Sequence, residues 1–281
     1  MRTGTLAIVG TGIKAAAHAT LEAQRHIEQA ESVLYLVADL AVRRWILQLN
    51  KAAVSLHTAF GMGKSRYDCY EAVVERILQE VRAGKRVCAA FYGHPGVAVY
   101  PSHEAVRRAR CEGYRATLLP GISAEDCLFA DLGVDPGHLG CQTFEATEFL
   151  VYNHRANPEI GLVLWQIGVV GELRHIQPDS VCSEGIGVLQ QVLLATYSPD
   201  HVVVIYEAAQ FPIVPPRVTK VQLAHLSESR VSAFSTLYVP PVRSREPDRH
   251  MLQRLKMQMP RPRPANIKLE MIPNGTGAKR G

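Results

Sequence analysis

The sequence predicts a soluble α/β protein of two domains, and three observations support that prediction. Strand-like and helix-like segments alternate along the first 119 residues, which is typical of a parallel sheet with helices on its faces. The run 87–91 is uniformly apolar, as a strand covered by helices on both faces must be. The chain of 281 residues is also longer than one hydrophobic core usually supports.

The first domain is expected to span residues 1–119. Its predicted strands are residues 5–9, 33–37, 54–57, 87–91 and 116–119. Its predicted helices are residues 16–30, 41–49, 70–81 and 102–111. The helix 70–81 is the clearest of these, because its apolar side chains recur at helical spacing at Val73, Val74, Ile77, Leu78 and Val81. Gly84 follows as a C-terminal cap.

The second domain is expected to span residues 120–242. Pro120 and Gly121 interrupt the alternation, and Ser123 then starts a helix in which its hydroxyl can form a capping box with Asp126. The clearest later elements are strands at 162–166, 201–206 and 232–239 and a helix at 186–195. Pro240 and Pro241 end the domain.

The turn after strand 87–91 is the most informative local feature. It reads Tyr92-Gly93-His94-Pro95-Gly96, and its two glycines and proline allow main chain to approach a ligand closely. Open α/β sheets bind ligands at the carboxyl ends of their strands. The pattern therefore predicts a small-molecule site here, and the alternative is an ordinary connection between a strand and a helix.

The formal net charge of +5 is unevenly distributed. Residues 243–281 hold ten Lys/Arg and three Asp/Glu, a net of +7, and the remainder holds 21 basic and 23 acidic residues, a net of −2. The globular part is therefore not a basic nucleic-acid binder. The tail is rich in proline and is expected to be mostly extended. It contains one candidate amphipathic segment, formed by Met251, Leu252, Leu255 and Met259. It is either a solubilising appendage or an arm that wraps a partner.

Several classes of protein are disfavoured by composition. Apolar runs are shorter than the roughly 18 to 20 residues of a membrane span, and glycines 10 and 12 interrupt the only apolar stretch near the N-terminus, unlike a signal peptide. A cytoplasmic protein is expected. The six cysteines are scattered without a CxxC pair, which indicates neither a disulfide framework nor a structural metal.

The segment Gly10-Thr11-Gly12-Ile13-Lys14-Ala15 follows a predicted strand and fits the dinucleotide fingerprint G-x-G-x-x-G/A. Asp39 lies at the end of the second predicted strand, where an acid that binds ribose would lie. An NAD-linked oxidoreductase is therefore an alternative. The motif is short, however, and Asp39 follows nearer to thirty than to the usual ~20 residues later.

A set of motifs resembles the borosin peptide α-N-methyltransferases, which belong to the tetrapyrrole methylase superfamily. The matching segments are 9–13 (VGTGI), 91–97 (FYGHPGV), 101–103 (PSH), 119–126 (LPGISAED), 129–133 (FADLG) and 144–146 (FEA). The resemblance runs from about residue 6 to 241. It implies a fold of two α/β domains with S-adenosylmethionine in the cleft between them, S-adenosylhomocysteine as product, and no metal. It also implies a homodimer.

The resemblance also implies the residues of the site. Cofactor contacts are carried over to eight positions: Tyr92, His94, Val97, Ala124, Gln166, Ala208, Ser235 and Thr236. Arg66 and Tyr70 would activate the amide, and Tyr92 would bridge toward the cofactor. A peptide nitrogen needs such help because its lone pair is delocalised into the carbonyl. A cation or hydroxyl must stabilise the oxygen charge and a base must accept the N–H proton.

Two departures from the family pattern are visible. Phe60 stands where relatives commonly carry a tyrosine, so the ring is kept and the hydroxyl is lost. The tail lacks an apolar core peptide, which resembles the split bacterial arrangement with a separate precursor. Two other functions remain open on the sequence: a methyltransferase acting on a tetrapyrrole or ribosomal RNA, and a cofactor-binding protein without turnover.

Overall fold

The computed structural model describes residues 3–14, 16–61, 64–174, 181–211, 213–242 and 246–260. These residues form two compact units. The first lies within Met1–Cys127, Glu172–Gln177 and Ala208–Pro215, and the second within Leu128–Gly171, Pro178–Glu207 and Pro216–Gly281. The rest of the basic tail, at 243–245 and 261–281, falls outside the described residues.

The first unit is built on a parallel sheet of five strands. The strands are β1 (Thr5–Gly10), β2 (Ser32–Leu36), β3 (Val54–Ser55), β4 (Arg86–Phe91) and β5 (Arg115–Leu118). Their order is β3-β2-β4-β1-β5, and every pairing is parallel. β4 and β1 are central, which explains why residues 87–91 are buried and apolar. The predicted α/β class with a parallel sheet is confirmed.

Four helices cover this sheet. They are α1 (Leu21–Gln29), α2 (Leu40–Leu49), α3 (Arg66–Arg82) and α4 (Tyr100–Cys111). The apolar stripe of α3 packs with α4 and the Leu6, Ile8 and Ala89 side of the sheet. α1 and α2 pack with the opposite side, which includes Val9 and Cys88. Each face thus has its own core, as expected of a doubly covered sheet.

The first helix begins later than predicted. Ala16 has a left-handed φ of 58°, which a helix interior does not tolerate. Thr20 instead caps α1 by accepting a hydrogen bond from the Ala23 N–H at 3.0 Å. The third strand is also shorter than predicted, because residues His57–Ala59 form a 3-10 turn. α4 starts two residues before the predicted position, at Tyr100.

The second unit contains a mixed sheet of five strands. These are β6 (Cys141–Glu145), β7 (Gly161–Trp165), β8 (Val202–Glu207), β9 (Arg217–Gln222) and β10 (Thr236–Val239), in the order β6-β7-β10-β8-β9. Only β6 and β7 are parallel neighbours. The accompanying helices are α5 (Ala124–Leu132), α6 (Pro136–Leu139), α7 (Ala146–Val151) and α8 (Ser183–Leu194).

Three further predicted features, within residues 123–259, differ in outcome. The predicted strand 232–239 is shorter, since Ser235 N–H bonds to the Ser232 carbonyl at 3.0 Å in a turn before β10. The Ser123 capping box is confirmed, with Asp126 N–H to Ser123 Oγ at 3.2 Å and Ser123 N–H to Asp126 Oδ2 at 2.7 Å. The amphipathic segment of the tail contains a short helix, α9 (Arg249–Arg254).

No helix in the described parts of the chain combines the length and apolarity needed to cross a membrane. No group of three or more His, Cys, Asp or Glu side chains in those parts is arranged to hold a metal ion.

Candidate active site

The glycine-rich loops after β1 and β4 hold each other directly. Gly12 N–H donates to the Gly93 carbonyl at 3.2 Å, and Gly93 N–H donates to the Gly12 carbonyl at 3.1 Å. Both glycines have left-handed φ, 70° and 71°, which L-residues rarely adopt. A Cβ added to Gly10 would lie 2.3 Å from the Gly93 carbonyl oxygen. Close backbone packing therefore explains why these positions are glycine.

The same geometry removes the main support for the NAD alternative. A dinucleotide fingerprint opens directly into a helix whose N-terminus binds the pyrophosphate, but α1 begins only at Leu21. The carboxylate of Asp39 caps α2, accepting hydrogen bonds from Ala41 N–H at 2.8 Å and Val42 N–H at 3.0 Å. The two features that suggested NAD thus have structural roles within the first unit.

The turn after β4 is fixed by hydrogen bonds from its own residues and from α4. Gly96 N–H donates to His94 Nδ1 at 2.8 Å, so the neutral imidazole carries its proton on Nε2. The Ser102 hydroxyl donates to the Pro95 carbonyl and, at 2.7 Å, to the Val99 carbonyl. These bonds hold the predicted ligand turn in one conformation, with Val97 at its exposed end.

Arg66 and Tyr70 lie together at the start of α3. Ser65 caps the helix by accepting from Asp68 N–H at 3.4 Å. Arg66 Nη2 lies 3.4 Å from the Tyr70 hydroxyl, and Nη1 donates to the Glu172 carbonyl at 3.3 Å. Arg66 N–H also donates to the Leu173 carbonyl at 2.9 Å. The guanidinium is therefore oriented by the Glu172 carbonyl and the Tyr70 hydroxyl, and the Leu173 carbonyl holds the Arg66 backbone, although the positive charge opposes the helix dipole.

Two aromatic rings, of Phe60 and Tyr100, lie against Tyr70. Phe60 meets it edge-on, with ring centroids 6.1 Å apart and an interplanar angle of 71°. Tyr100 stacks against it at 6.2 Å and 29°. Phe60 also packs on the core shared by α3 and α4. The position that lacks the family hydroxyl is thus a direct neighbour of Tyr70.

Tyr100 belongs to a polar cluster that sequence reasoning missed. Its hydroxyl donates to Glu71 Oε1 at 2.7 Å, and Arg108 Nη2 donates to Glu71 Oε2 at 2.6 Å. The hydrogen bonds from Tyr100 and then Arg108 lower the pKa of Glu71. Hydrogen bonds with Tyr67 and then Glu71 raise the pKa of the Tyr100 phenol. The signal in the sequence was the three tyrosines at 67, 70 and 100, two of them at the start of one helix.

Tyr92 lies on the other side of the sheet from Phe60. Its ring packs against the core shared by α1 and α2, whereas Phe60 packs on the core shared by α3 and α4. Of the predicted residues in the first unit, the structure therefore pairs Arg66 with Tyr70. Tyr92 is placed instead beside His94 and Val97 in the turn. Ala124 begins α5 after the Ser123 cap, and Ala208 follows directly after β8.

In the second unit, Gln166 and Ser235 are joined. Gln166 directly follows β7 and has a left-handed φ of 58°, and the next N–H, of Ile167, donates to the Ser235 carbonyl at 3.1 Å. The Ser235 hydroxyl donates to Glu207 Oε1 at 2.5 Å and accepts from Ser232 N–H at 2.8 Å. Ser235 is fully buried, as is Thr236 at the start of β10.

Glu207 is the centre of that cluster and was also missed. Besides Ser235, its Oε1 accepts from the Ser232 hydroxyl at 2.6 Å and lies 3.2 Å from Arg217 Nη2. The carboxylate thereby ties together the ends of β8, β9 and β10. Its position after a run of apolar strand residues, in the sequence Tyr206-Glu207, was the signal that could have found it.

Comparison with known proteins places the chain in a family. The family model described as Tetrapyrrole (Corrin/Porphyrin) Methylases matches residues 5–172. The chain belongs to the tetrapyrrole methylases. Solved structures agree on the fold of this tetrapyrrole methylase. A uroporphyrin-III-C-methyltransferase from Thermus thermophilus aligns with a TM-score of 0.58 at 20% identity, covering 92% of this chain and 98% of its own. A diphthine synthase aligns with a TM-score of 0.58 at 16% identity, covering 84% and 90%.

Curated relatives of this tetrapyrrole methylase include fungal proteins whose names join a methyltransferase to a peptide precursor. The gymnopeptides precursor of Gymnopus fusipes is 41% identical over 258 residues, 90% of this chain and 61% of its own length. The omphalotin A precursor of Omphalotus olearius is 42% identical over 260 residues, 91% and 62%. This chain therefore spans about three-fifths of these relatives. Their joined names differ from the split arrangement that the tail suggested.

The burial of Tyr92 in this tetrapyrrole methylase changes its pKa, which can be measured. Burial first, then the neighbouring Cys127 and Asp39, raise the pKa of Tyr92 to about 12. Tyr92 is therefore a hydroxyl donor at neutral pH and not a phenolate base. Between pH about 10 and 12 the unfolded chain loses this proton while the folded chain keeps it, so this contribution to stability is present below pH 10 and is lost as pH rises.

This ionisation is measured by titrating the ultraviolet absorbance of the wild type and of Tyr92→Phe and subtracting the second curve from the first. We expect the difference curve to have its midpoint near pH 12. A midpoint near the ordinary value of about 10 would show that the Tyr92 hydroxyl is solvated and could serve as a base.

Proposed function

We propose that this chain is an S-adenosylmethionine-dependent methyltransferase that methylates backbone amide nitrogens of a ribosomally made peptide. The observation that supports this most strongly is the pairing of Arg66 with Tyr70, 3.4 Å apart, in a tetrapyrrole methylase. Relatives at 41 and 42% identity carry names that join a methyltransferase to a ribosomally synthesized cyclic-peptide precursor. Family, relatives and side-chain pair all agree with methyl transfer to a peptide.

The proposed reaction requires that an amide be drawn toward its imidate form. The Arg66 guanidinium supplies positive charge for the amide oxygen, and the Tyr70 hydroxyl supplies a second polar group beside it. The N–H proton leaves through Tyr70, His57 or water as the new bond from nitrogen to the methyl group forms. Glu172 and Leu173 carbonyls hold Arg66 in place, so little reorganisation is needed when the peptide binds. When bound, the cofactor supplies an activated methyl group on a sulfonium.

The residues proposed to hold the cofactor are Tyr92, His94, Val97, Ala124, Gln166, Ala208, Ser235 and Thr236. In the first unit, the turn after β4 carries the Tyr92 hydroxyl, the Nε2–H of His94 and the apolar side chain of Val97. These groups suit a ligand with both polar and apolar parts. In the second unit, the hydrogen-bonding groups of Ser235 are engaged by Glu207, Ser232 and Ile167. Ser235 is therefore proposed to contribute to the cofactor site by holding the turn at Gln166.

Isothermal titration calorimetry tests the cofactor part of this proposal. We expect S-adenosylmethionine or S-adenosylhomocysteine to bind and NAD to give no heat, because Gly10, Gly12 and Asp39 are committed to packing and capping. Tight binding of NAD without binding of the sulfonium compound would reverse the assignment. Glu228→Gln, which alters an exposed ion pair with His225, is a matched control with unchanged cofactor affinity.

The separate precursor and the homodimer stay predictions. Mixing the purified chain with a peptide made independently tests the first, since a covalently joined substrate would leave that peptide unmodified. Light scattering at several protein concentrations tests the second.

A further inference from the structure

The position of Tyr70 is restrained by contacts with Arg66, Phe60 and Tyr100. Its hydroxyl meets Arg66 at a long 3.4 Å. Its ring meets Phe60 in an edge contact, with centroids 6.1 Å apart at 71°, and Phe60 has no hydroxyl to bond. Its contact with Tyr100, at 6.2 Å and 29°, is stacked. Tyr100 is therefore well placed to decide how far the Tyr70 ring can rotate.

Tyr100 is itself anchored. It lies at the first position of α4, where its hydroxyl bonds to Glu71 at 2.7 Å and, more weakly, to Tyr67 at 3.5 Å. Arg108, two turns along α4, holds the other oxygen of Glu71 at 2.6 Å. Glu104 in turn bonds to Arg108 Nε at 2.5 Å. Glu71 of α3 is therefore bonded both to Arg108 and to Tyr100, which lie on the same helix, α4.

We propose that Tyr100, anchored by Glu71 and Arg108, is a positioning residue that holds Tyr70 in its working orientation. The inference rests on the proposed function, because it assumes that Tyr70 touches the reacting amide. Two residues are thereby added to the site. Tyr100 acts by orienting Tyr70, and Glu71 acts only by orienting Tyr100. Tyr100 is 38% exposed, so its replacement leaves the core of the unit intact.

Steady-state kinetics with peptide and cofactor test the proposal. Tyr100→Leu removes the stacked ring, and we expect kcat to fall about tenfold with little change in KM, since an aromatic contact of this kind is worth roughly a factor of ten. Tyr100→Phe keeps the ring, loses the bond to Glu71, and should give a smaller fall of about threefold. Tyr152→Leu, at an exposed tyrosine directly after α7, is the control and should match the wild type.

A double-mutant cycle tests whether Glu71 acts through Tyr100. Glu71→Gln alone should lower kcat about as much as Tyr100→Phe, and in a Tyr100→Leu background it should have no further effect. Additive effects, or wild-type kcat in Tyr100→Leu, would overturn the proposal while leaving the methyltransferase function intact.

A second readout does not depend on activity. With 3-fluorotyrosine placed at position 70, the fluorine resonance reports the environment and motion of that ring. We expect Tyr100→Leu to shift and sharpen this resonance by freeing the ring, and Tyr152→Leu to leave it unchanged. An unchanged resonance in Tyr100→Leu would overturn the positioning role even if no peptide substrate is turned over, whereas absent turnover alone would count against the proposed function only.

Discussion

Arg66→Lys and Tyr70→Phe are each expected to lower kcat by about a hundredfold or more, the loss typical when one donor to a developing oxyanion is removed. Lysine keeps the charge of Arg66 but loses the planar fork that reaches Tyr70 and the Glu172 carbonyl together. Phenylalanine keeps the ring contacts of Tyr70 with Phe60 and Tyr100 and removes only the hydroxyl. The measurement is the rate of methyl transfer at saturating peptide and cofactor.

The matched control is Arg82→Lys, at the last residue of the same helix, where the guanidinium pairs with Glu75 and Glu112. It should keep full kcat, because exposed ion pairs of this kind contribute little. Cofactor affinity, measured by calorimetry, should stay near the wild-type value in all three variants. Full rates in both Arg66→Lys and Tyr70→Phe would remove these residues from the mechanism.

Gly10→Ala is expected to destabilise the first unit by about 3 kcal/mol, at the upper end of the usual cost of overpacking. The added Cβ would lie 2.3 Å from the Gly93 carbonyl oxygen and 2.8 Å from Pro95 Cδ. The backbone of the turn after β4 would have to move, which would also disturb Tyr92 and His94. The free energy of unfolding from a denaturant titration and the cofactor Kd should therefore change together.

Gly187→Ala is the control for this substitution. Gly187 lies inside α8, and nothing lies within 4 Å of an added Cβ there. Alanine should be neutral or more stable by about 0.5 to 1 kcal/mol, because it restricts the unfolded chain and favours helix. A Gly10→Ala protein with wild-type stability would show that the loops after β1 and β4 are not held together as the structure describes.

Elements with strong periodicity were predicted well, and elements set by tertiary contacts were not. The apolar stripe of α3 from Val73 to Val81 predicted its buried face, and the apolar run of β4 predicted a central strand. The predicted start of α1 was wrong because Ala16 adopts a left-handed backbone conformation. The presence of an alanine in the sequence does not indicate that conformation. The strands β6 and β9 were not predicted, because both mix polar with apolar residues and are only partly buried.

The contacts of the candidate site also differ in whether local spacing in the sequence predicts them. Arg66 and Tyr70 are four residues apart on one helix, so their pairing was predictable from sequence. Tyr100 reaches Tyr70 from another helix, and Glu207 reaches Ser235 from another strand. Neither contact is encoded in local spacing. The placement of Tyr92 on the α1 and α2 side, opposite its neighbour Phe91 on the α3 and α4 side, likewise follows from the alternation of side chains at the end of β4, and it becomes visible only once the two faces are assigned.

The most direct test of the proposed function locates the transferred methyl group. The purified chain is incubated with S-adenosylmethionine carrying a deuterated methyl group and with a peptide of apolar residues, and the product is fragmented in a mass spectrometer. We predict label on backbone nitrogens, formed by the wild type and lost in parallel in Arg66→Lys and Tyr70→Phe. Label on a side chain, on a tetrapyrrole or on RNA supplied in its place, with none on the peptide backbone, would contradict the account.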